Sequence, residues 1–291
     1  MSTLELLEAI DSPELAAARK YELNISRHLA LRLGKSAVKA SSQGYYLNSM
    51  GEKVDWSLDV EKACRGKLSI PPDSPLSQNK NARFPITRVQ VVNDTTLSAS
   101  KRLIESGLGP LALNFANGVQ PGGGFLTGAL AQEETLCRSS SLYKTLVNDP
   151  MYEFHANRGR QDSTDWAIYS PQVPVFRTDD GSTLDHFWRL SFITCAAPYA
   201  RSIGQPESGD LLKQRIHRLL AIAEALGYST LVLGAWGCGA FFNDPNRTAS
   251  DFRSAIEHEF NGAFSNITFA ITDWSEERRF LGPFRDVFSL T

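Results

Sequence analysis

From about Phe84 onward the chain repeats one pattern, a short β-branched or apolar run followed by a turn and a helix-forming stretch. ITRVQVV (86–92), PLALNFAN (110–117), WAIYSPQVPVF (166–176), LSFITCAAP (190–198), STLVLGAW (229–236) and NITFAITD (266–273) read as strands. Between them, TLSASKRLIESG and TLCRSSSLYKTLV read as helices. GDLLKQRIHRLLAIAEALG is a helix with Leu212, Ile216, Leu219 and Ala223 on one face and Gly227 as its stop. DPNRTASDFRSAIEHEF starts with an Asp244 cap and Pro245 in the first turn. Apolar strands alternating with helices demand a sheet covered on both faces, so the expected fold is a layered α/β domain with a largely parallel sheet.

The first forty residues read as helical, with Ser12 as a cap and Pro13 just inside. GYYLNSMGEKVDW (44–56) reads as a hairpin turning at Gly51. IPPDSPLSQNKNARFP (70–85), with four prolines, is the most linker-like stretch. A boundary there divides an N-terminal accessory region, 1–83, from the α/β domain, 84–291.

With 30 Lys and Arg against 32 Asp and Glu, the chain lacks the basic excess used for non-specific grip of nucleic acid or anionic membranes. No window reaches the length of a membrane span, and the acidic start is unlike a secretory signal. Cys64, Cys137, Cys195 and Cys238 lie far apart with no CxxC pair, which fits a reduced protein of the cytoplasm, or of the nucleus if eukaryotic. His28, His155, His186, His217 and His258 show no metal-ligand spacing, and no metal or cofactor is expected.

In open α/β sheets ligands bind beyond the carboxyl ends of strands, and two such loops are unusual here. NFANGVQPGGGF (114–125) carries Gly122, Gly123 and Gly124, which give a ligand access to backbone amides. LGAWGCGAFFNDP (233–245) spaces Gly234, Gly237 and Gly239 ahead of a capped helix, in the manner of a phosphate cradle. It lacks the Gly-Lys-Ser/Thr of a P-loop and, with Phe242 where a glycine or alanine belongs, the dinucleotide fingerprint. Gln132, Glu133 and Glu134 follow the first loop. Acids in a first helical turn are commonplace, but delivered beside a bound sugar they can supply the acid and base of glycosidic cleavage. Arg158 and Arg160 read as solvated charge, Phe280 and Phe284 as packing. Cys238 has no histidine with a claim to be its base.

PGGGFLTGALAQEE, three glycines and a seven-residue spacer before Gln-Glu-Glu, resembles the signature of microbial-type poly(ADP-ribose) glycohydrolases of the macrodomain superfamily. LNFANG and GAWGCGAFFNDP resemble that superfamily's ribose and diphosphate loops. The resemblance runs from about residue 84 to the C-terminus. It implies a three-layer α/β/α sandwich with a mixed central sheet and N-terminal accessory helices. It also implies hydrolysis of the ribose–ribose bond of poly(ADP-ribose), from chain ends, with ADP-ribose released. Glu134 would protonate the leaving oxygen and then activate water. Glu133 would fix sugar hydroxyls; Asn117, Gln132 and Phe241 would hold ribose. Gly122, Gly123 and Gly124 would admit the backbone to ribose and phosphate. Gly237, Cys238, Gly239 and Ala240 would supply diphosphate amides. VVNDTTLSA (91–99) is similar to the superfamily's first-strand motif and would put Asp94 on the adenine, although Asn93 and Thr95 depart from it. LGPFRDVFSLT (281–291) would close over the terminal ribose. Adjacent helical acids point in different directions, so Glu133 and Glu134 would not flank a bond, and one acid would serve twice. The implied partner is poly(ADP-ribose) or an ADP-ribosylated protein, without membrane or sequence-specific nucleic acid binding. A non-hydrolytic ADP-ribose-binding macrodomain and a mono-ADP-ribosyl hydrolase use the same pocket and stand as alternatives.

Overall fold

The computed structural model describes residues 3–77 and 82–289; part of the linker-like stretch, 78–81, and the last two residues lie outside them. Ten strands form: β1 (Thr3–Leu6), β2 (Tyr45–Leu47), β3 (Lys53–Asp55), β4 (Leu68–Ile70), β5 (Ile86–Val92), β6 (Pro110–Ala116), β7 (Ala167–Arg177), β8 (Thr183–Ala196), β9 (Thr230–Leu233) and β10 (Asn266–Ala270). Eight of them make one sheet in the order β1-β5-β10-β9-β6-β8-β7-β4. Neighbours from β1 through β8 run parallel, while β7 is antiparallel to both β8 and β4. The sheet is therefore mixed.

Each face of the sheet has its own core. On one side Leu212, Ile216 and Leu219 of the helix Glu207–Ala225 pack with Phe252 and Phe284. On the other, Leu97, Leu136, Cys137 and Leu142 pack against Val92, Ala112 and Phe192. Strands buried on both faces have no polar side to present, which is why β6 reads as an almost unbroken apolar run. The result is the three-layer α/β/α macrodomain-like arrangement.

Ser12 caps the helix Pro13–Leu23 through a bond from Leu15 N at 3.2 Å, and Asp244 caps the helix Pro245–Glu257. The hairpin forms, with Tyr46 opposite Val54 and Gly51 at φ +79°. Its Tyr46 and Trp56 rings pack on Phe176, and Trp56 Nε1 donates to the Ala40 carbonyl at 3.1 Å.

One expectation fails at the N-terminus. Residues 3–6 read as helical but form a strand parallel to β5. The open edge of β5 offers backbone partners that continue past it: Leu7 N donates to Val89 O and Ile10 N to Val91 O, at 2.8 and 2.9 Å. Pairing with a ready edge outweighs the weak helix propensity of four residues. Residues 1–83 thus contribute both edge strands, β1 and β4, to the sheet.

Parallel order fixes where the site is. The carboxyl ends of β5, β6, β8, β9 and β10 all open on one side, where the topology leaves a cleft of about 770 Å³.

Candidate active site

Five strand ends supply the cleft floor: Asp94 after β5, Asn117 after β6, Ala197 after β8, Ala235 after β9 and Ile271 after β10. Lys20, Leu23 and Asn24 reach it from the N-terminal helix, and Trp274 and Phe280 from the C-terminal segment.

The chain leaves β6 through Asn117, whose Oδ1 accepts from Val119 N at 2.9 Å and Gln120 N at 3.0 Å and folds the loop back. His155, buried, supports it by bonding the Gly118 carbonyl at 3.0 Å. Gly122 and Gly123 then adopt φ +71° and +56°, the region that favours glycine. Gly123 also has no room for a side chain: a Cβ there would stand 2.4 Å from Glu134 Oε1 and 3.1 Å from Glu133 Oε2. Gly123 is packed on the acids, Gly124 bonds Glu134 through its amide, Gly122 lies on the Phe125 ring and the Cys137 sulfur, and none of the three lines the cleft.

The helix Gln132–Ser139 begins at Gln132, earlier than the Thr135 start read from the sequence, so all three polar residues lie in its first turn. Gln132 spends its amide on the fold. Its Oε1 accepts from Phe115 N at 2.9 Å, and its Nε2 donates to Leu113 O at 2.7 Å and Thr96 Oγ1 at 3.0 Å. It lines the cleft while stitching the end of β6 to the start of the helix Thr96–Glu105.

Glu133 and Glu134 are 3% and 8% exposed, and both line the cleft. Contrary to the divergence expected of adjacent helical residues, their carboxyls converge on Gly123. They flank a backbone and not a space for sugar. Glu133 Oε2 accepts from Asn117 N at 2.7 Å and its Oε1 from Asn114 Nδ2 at 3.2 Å. Those donors favour the ionised form, but burial is the larger effect and, helped by the Glu134 charge, pushes Glu133 up to about 8. Glu134 Oε1 accepts from Gly124 N at 2.9 Å, whereas its Oε2 is buried without a hydrogen-bond partner among the described residues.

The second loop faces the cleft directly. Gly237, Gly239, Ala240 and Phe241 line it. Gly237 sits at φ +76°, and Asn243 pins it: Nδ2 donates to the Gly237 carbonyl at 3.2 Å and to Pro198 O at 2.9 Å, while Oδ1 accepts from Ser208 Oγ at 2.7 Å. Cys238 does not line the cleft. Its thiol points inward at Trp236 O and Thr248 Oγ1, both at 3.6 Å, and burial pushes it up to about 12. The Phe241 ring meets Tyr199 edge-on at 5.9 Å.

Asp94 lines the cleft with its carboxylate engaged: Oδ1 takes Arg19 at 2.8 Å and Thr95 N at 2.8 Å, and Oδ2 takes Arg102. Arg158 and Arg160 are spent on Asp162 and Glu207. Of the two aromatics read as packing, Phe284 is core and Phe280 is cleft wall. The stretch expected to close over ribose buries Leu281, Phe284 and Phe288 in the core as far as it is described.

Two polar residues of the site were not named from the sequence. Asn114, fully buried, holds Glu133; its signal was a lone amide inside the apolar run PLALNFA. Asp179, 3% exposed, lines the cleft and accepts from Thr95 Oγ1 at 2.7 Å; burial raises it to about 7, with Glu22 adding to the rise and the Thr95 hydroxyl and Arg138 opposing it. It sits in a short turn, with no motif around it.

Comparison with known proteins places this geometry in a family. Residues 34–178 match the family described as microbial-type PARG, catalytic domain. The crystal structure of poly(ADP-ribose) glycohydrolase from Thermomonospora curvata is 36% identical, covers 89% of this chain and 99% of its own, and superposes with a TM-score of 0.84. The same enzyme bound to the inhibitor ADP-HPD gives 37% identity over the same shares and 0.82. Poly(ADP-ribose) glycohydrolase from Deinococcus radiodurans in complex with ADP-ribose gives 36%, 78% of this chain, 95% of that one, and 0.72. No curated protein matches the sequence. On sequence and fold together, the chain belongs to the microbial-type poly(ADP-ribose) glycohydrolases.

Proposed function

We propose that this chain hydrolyses the ribose–ribose O-glycosidic bond of poly(ADP-ribose) and releases ADP-ribose, with Glu134 as the acid and base. The observation that carries this reading is Glu134 Oε2: a buried carboxyl oxygen on the cleft wall, without a hydrogen-bond partner among the described residues, whose sister oxygen is held by Gly124 N. One oxygen is fixed and the other is free for substrate. The Deinococcus relative holds ADP-ribose on the same fold, which supports the ligand class.

Glu134 gives its proton to the leaving ribose oxygen as the glycosidic bond breaks, then takes a proton from the water that attacks the sugar carbon. Because Glu133 and Glu134 lie side by side under Gly123, they do not face each other across a bond, and one acid serves both half-reactions. Glu133, tied to Asn114 and Asn117, holds the loop beside the acid. Asn117 and Phe241 border the ribose, and the amides of Gly237, Gly239 and Ala240 meet the diphosphate, whereas the Cys238 amide is held by the Ala235 carbonyl at 3.1 Å. Asp94 borders the adenine through whatever its arginine pairs leave open. We infer action from chain ends, since a pocket for one terminal unit needs no basic groove along a polymer. Four free cysteines agree with a cytoplasmic setting. Residues 84–291 act as the catalytic unit, and residues 1–83 complete the cleft rim through Lys20, Leu23 and Asn24.

The test is incubation with poly(ADP-ribose) and, separately, with mono-ADP-ribosylated protein, followed by product identification. Free ADP-ribose from polymer is the expected result. Release from mono-modified protein alone, or binding without any release, replaces this reading with one of the alternatives.

A further inference from the structure

One helical turn after Glu134 stands Arg138, only 1% exposed. None of its three guanidinium nitrogens has a hydrogen-bond partner among the described residues. A guanidinium buried in this way is costly unless opposite charge faces it. Glu134 precedes it by four residues, which puts their Cβ atoms roughly 5–6 Å apart on one helix face. Asp179 faces it from the turn between β7 and β8. That turn is tied to the end of the helix: Arg177 donates to the Arg138 carbonyl at 2.9 Å, and Ser139 Oγ to the Thr178 carbonyl at 3.3 Å. The Cys137 thiol is the other titratable group near the guanidinium, while Glu22 and Asp94 lie beyond Asp179 and Glu133 beside Glu134. The cation is thus embedded behind two carboxyls that line the cleft.

We propose that Arg138 is a positioning residue for the acid–base step: its buried positive charge stabilises the carboxylate that Glu134 becomes after giving up its proton. This rests on the reading of Glu134 as proton donor. In the first half-reaction the Glu134 O–H bond breaks, the proton joins the leaving ribose oxygen, and that oxygen keeps the electron pair of the broken C–O bond. In the second, water's oxygen bonds the sugar carbon and its proton returns to Glu134. Arg138 keeps all its protons throughout and supplies only a field.

The test reads that field without turnover. The Glu134 carboxyl is followed by NMR in protein labelled with ¹³C-glutamate, assigned with Glu134→Gln, and titrated in wild type, Arg138→Met, Arg138→Gln and Arg138→Lys. Either neutral variant should raise the Glu134 midpoint by about one pH unit or more, and Arg138→Lys should leave it within about 0.3. On poly(ADP-ribose) the neutral variants should lose about tenfold or more in kcat with KM little changed, and the basic limb of the pH profile should move up. An unmoved midpoint in a folded neutral variant overturns the proposal, as does a lysine variant that shifts like methionine. Should neither neutral variant fold, Arg138→Lys decides: an unmoved midpoint with kcat kept supports the proposal, and loss of most activity overturns it. Wild-type protein that binds ADP-ribose without cleaving polymer would defeat the functional reading while the NMR shifts still judged the field.

Discussion

Two glycine-rich loops leave neighbouring parallel strands at the cleft, residues 117–124 after β6 and residues 234–241 after β9, and their glycines do different jobs. In the first, glycine makes room for side chains: Gly123 lies against both carboxyls, and the loop's contribution to the cleft is the acids it holds in place. In the second, glycine exposes backbone: Gly237 and Gly239 are themselves cleft wall. Both are rich in glycine, with four in the first stretch and three in the second. What differs is the element packed behind each loop, a helix carrying two acids in one case and Asn243 in the other. A glycine count therefore locates a close approach without saying what approaches.

The comparison breaks most sharply at the acid. Glu134→Gln should cost on the order of 10³-fold in kcat on poly(ADP-ribose), while ADP-ribose affinity, measured by calorimetry, stays within a few-fold because the second loop is untouched. Substantial residual cleavage by that variant would falsify the assignment of Glu134. Glycine substitutions come next in size. Gly123→Ala forces a side chain onto Glu134 at a positive φ, and should lower kcat about 10²-fold and stability by about 1–2 kcal/mol. Gly239→Ala meets nothing within 4 Å, so stability should hold and the loss should fall on ADP-ribose affinity. Equal effects of the two alanines on kcat and on affinity would erase the distinction between the loops.

The smallest effect is on stability against pH. Glu133 is held near 8 in the folded chain against its usual 4.5, so the folded state binds the proton more tightly than the unfolded one. Stability is therefore lost as pH rises from about 5 to 8, and below that window Glu133 imposes no penalty. Glu133→Gln removes the penalty. Its unfolding free energy from urea titration should match wild type near pH 4.5 and exceed it above pH 8, by on the order of 2 kcal/mol. A constant difference across that range would show that Glu133 is not buried as described.

Much of the fold was legible because the relevant signals are local. The strands from β5 to β10 announce themselves by β-branched or apolar runs, and the helix after Asp244 by a cap and a proline. The strand at Thr3–Leu6 was not legible, since nothing in TLEL states that β5 leaves an edge open. Among site residues, the Gln-Glu-Glu set was found by its spacing from three glycines. Asn114 left a faint trace as an amide in an apolar strand, while Asp179 and Arg138 left none, because a charge in a turn or late in a helix is ordinarily a solvated one.

The sequence by itself determined the layered α/β class, the two loops beyond strand ends, and the acids that follow the first of them, since strand period, capping and glycine geometry act over a few residues. Only the tertiary structure decided the rest. It turned Gln132 inward to stitch β6, turned the Cys238 thiol away from the cleft, brought both carboxyls under Gly123, and buried Arg138 behind one of them. Those outcomes depend on burial and on partners far away in the chain, and desolvation energies of that kind arise only once the sheet has closed over them.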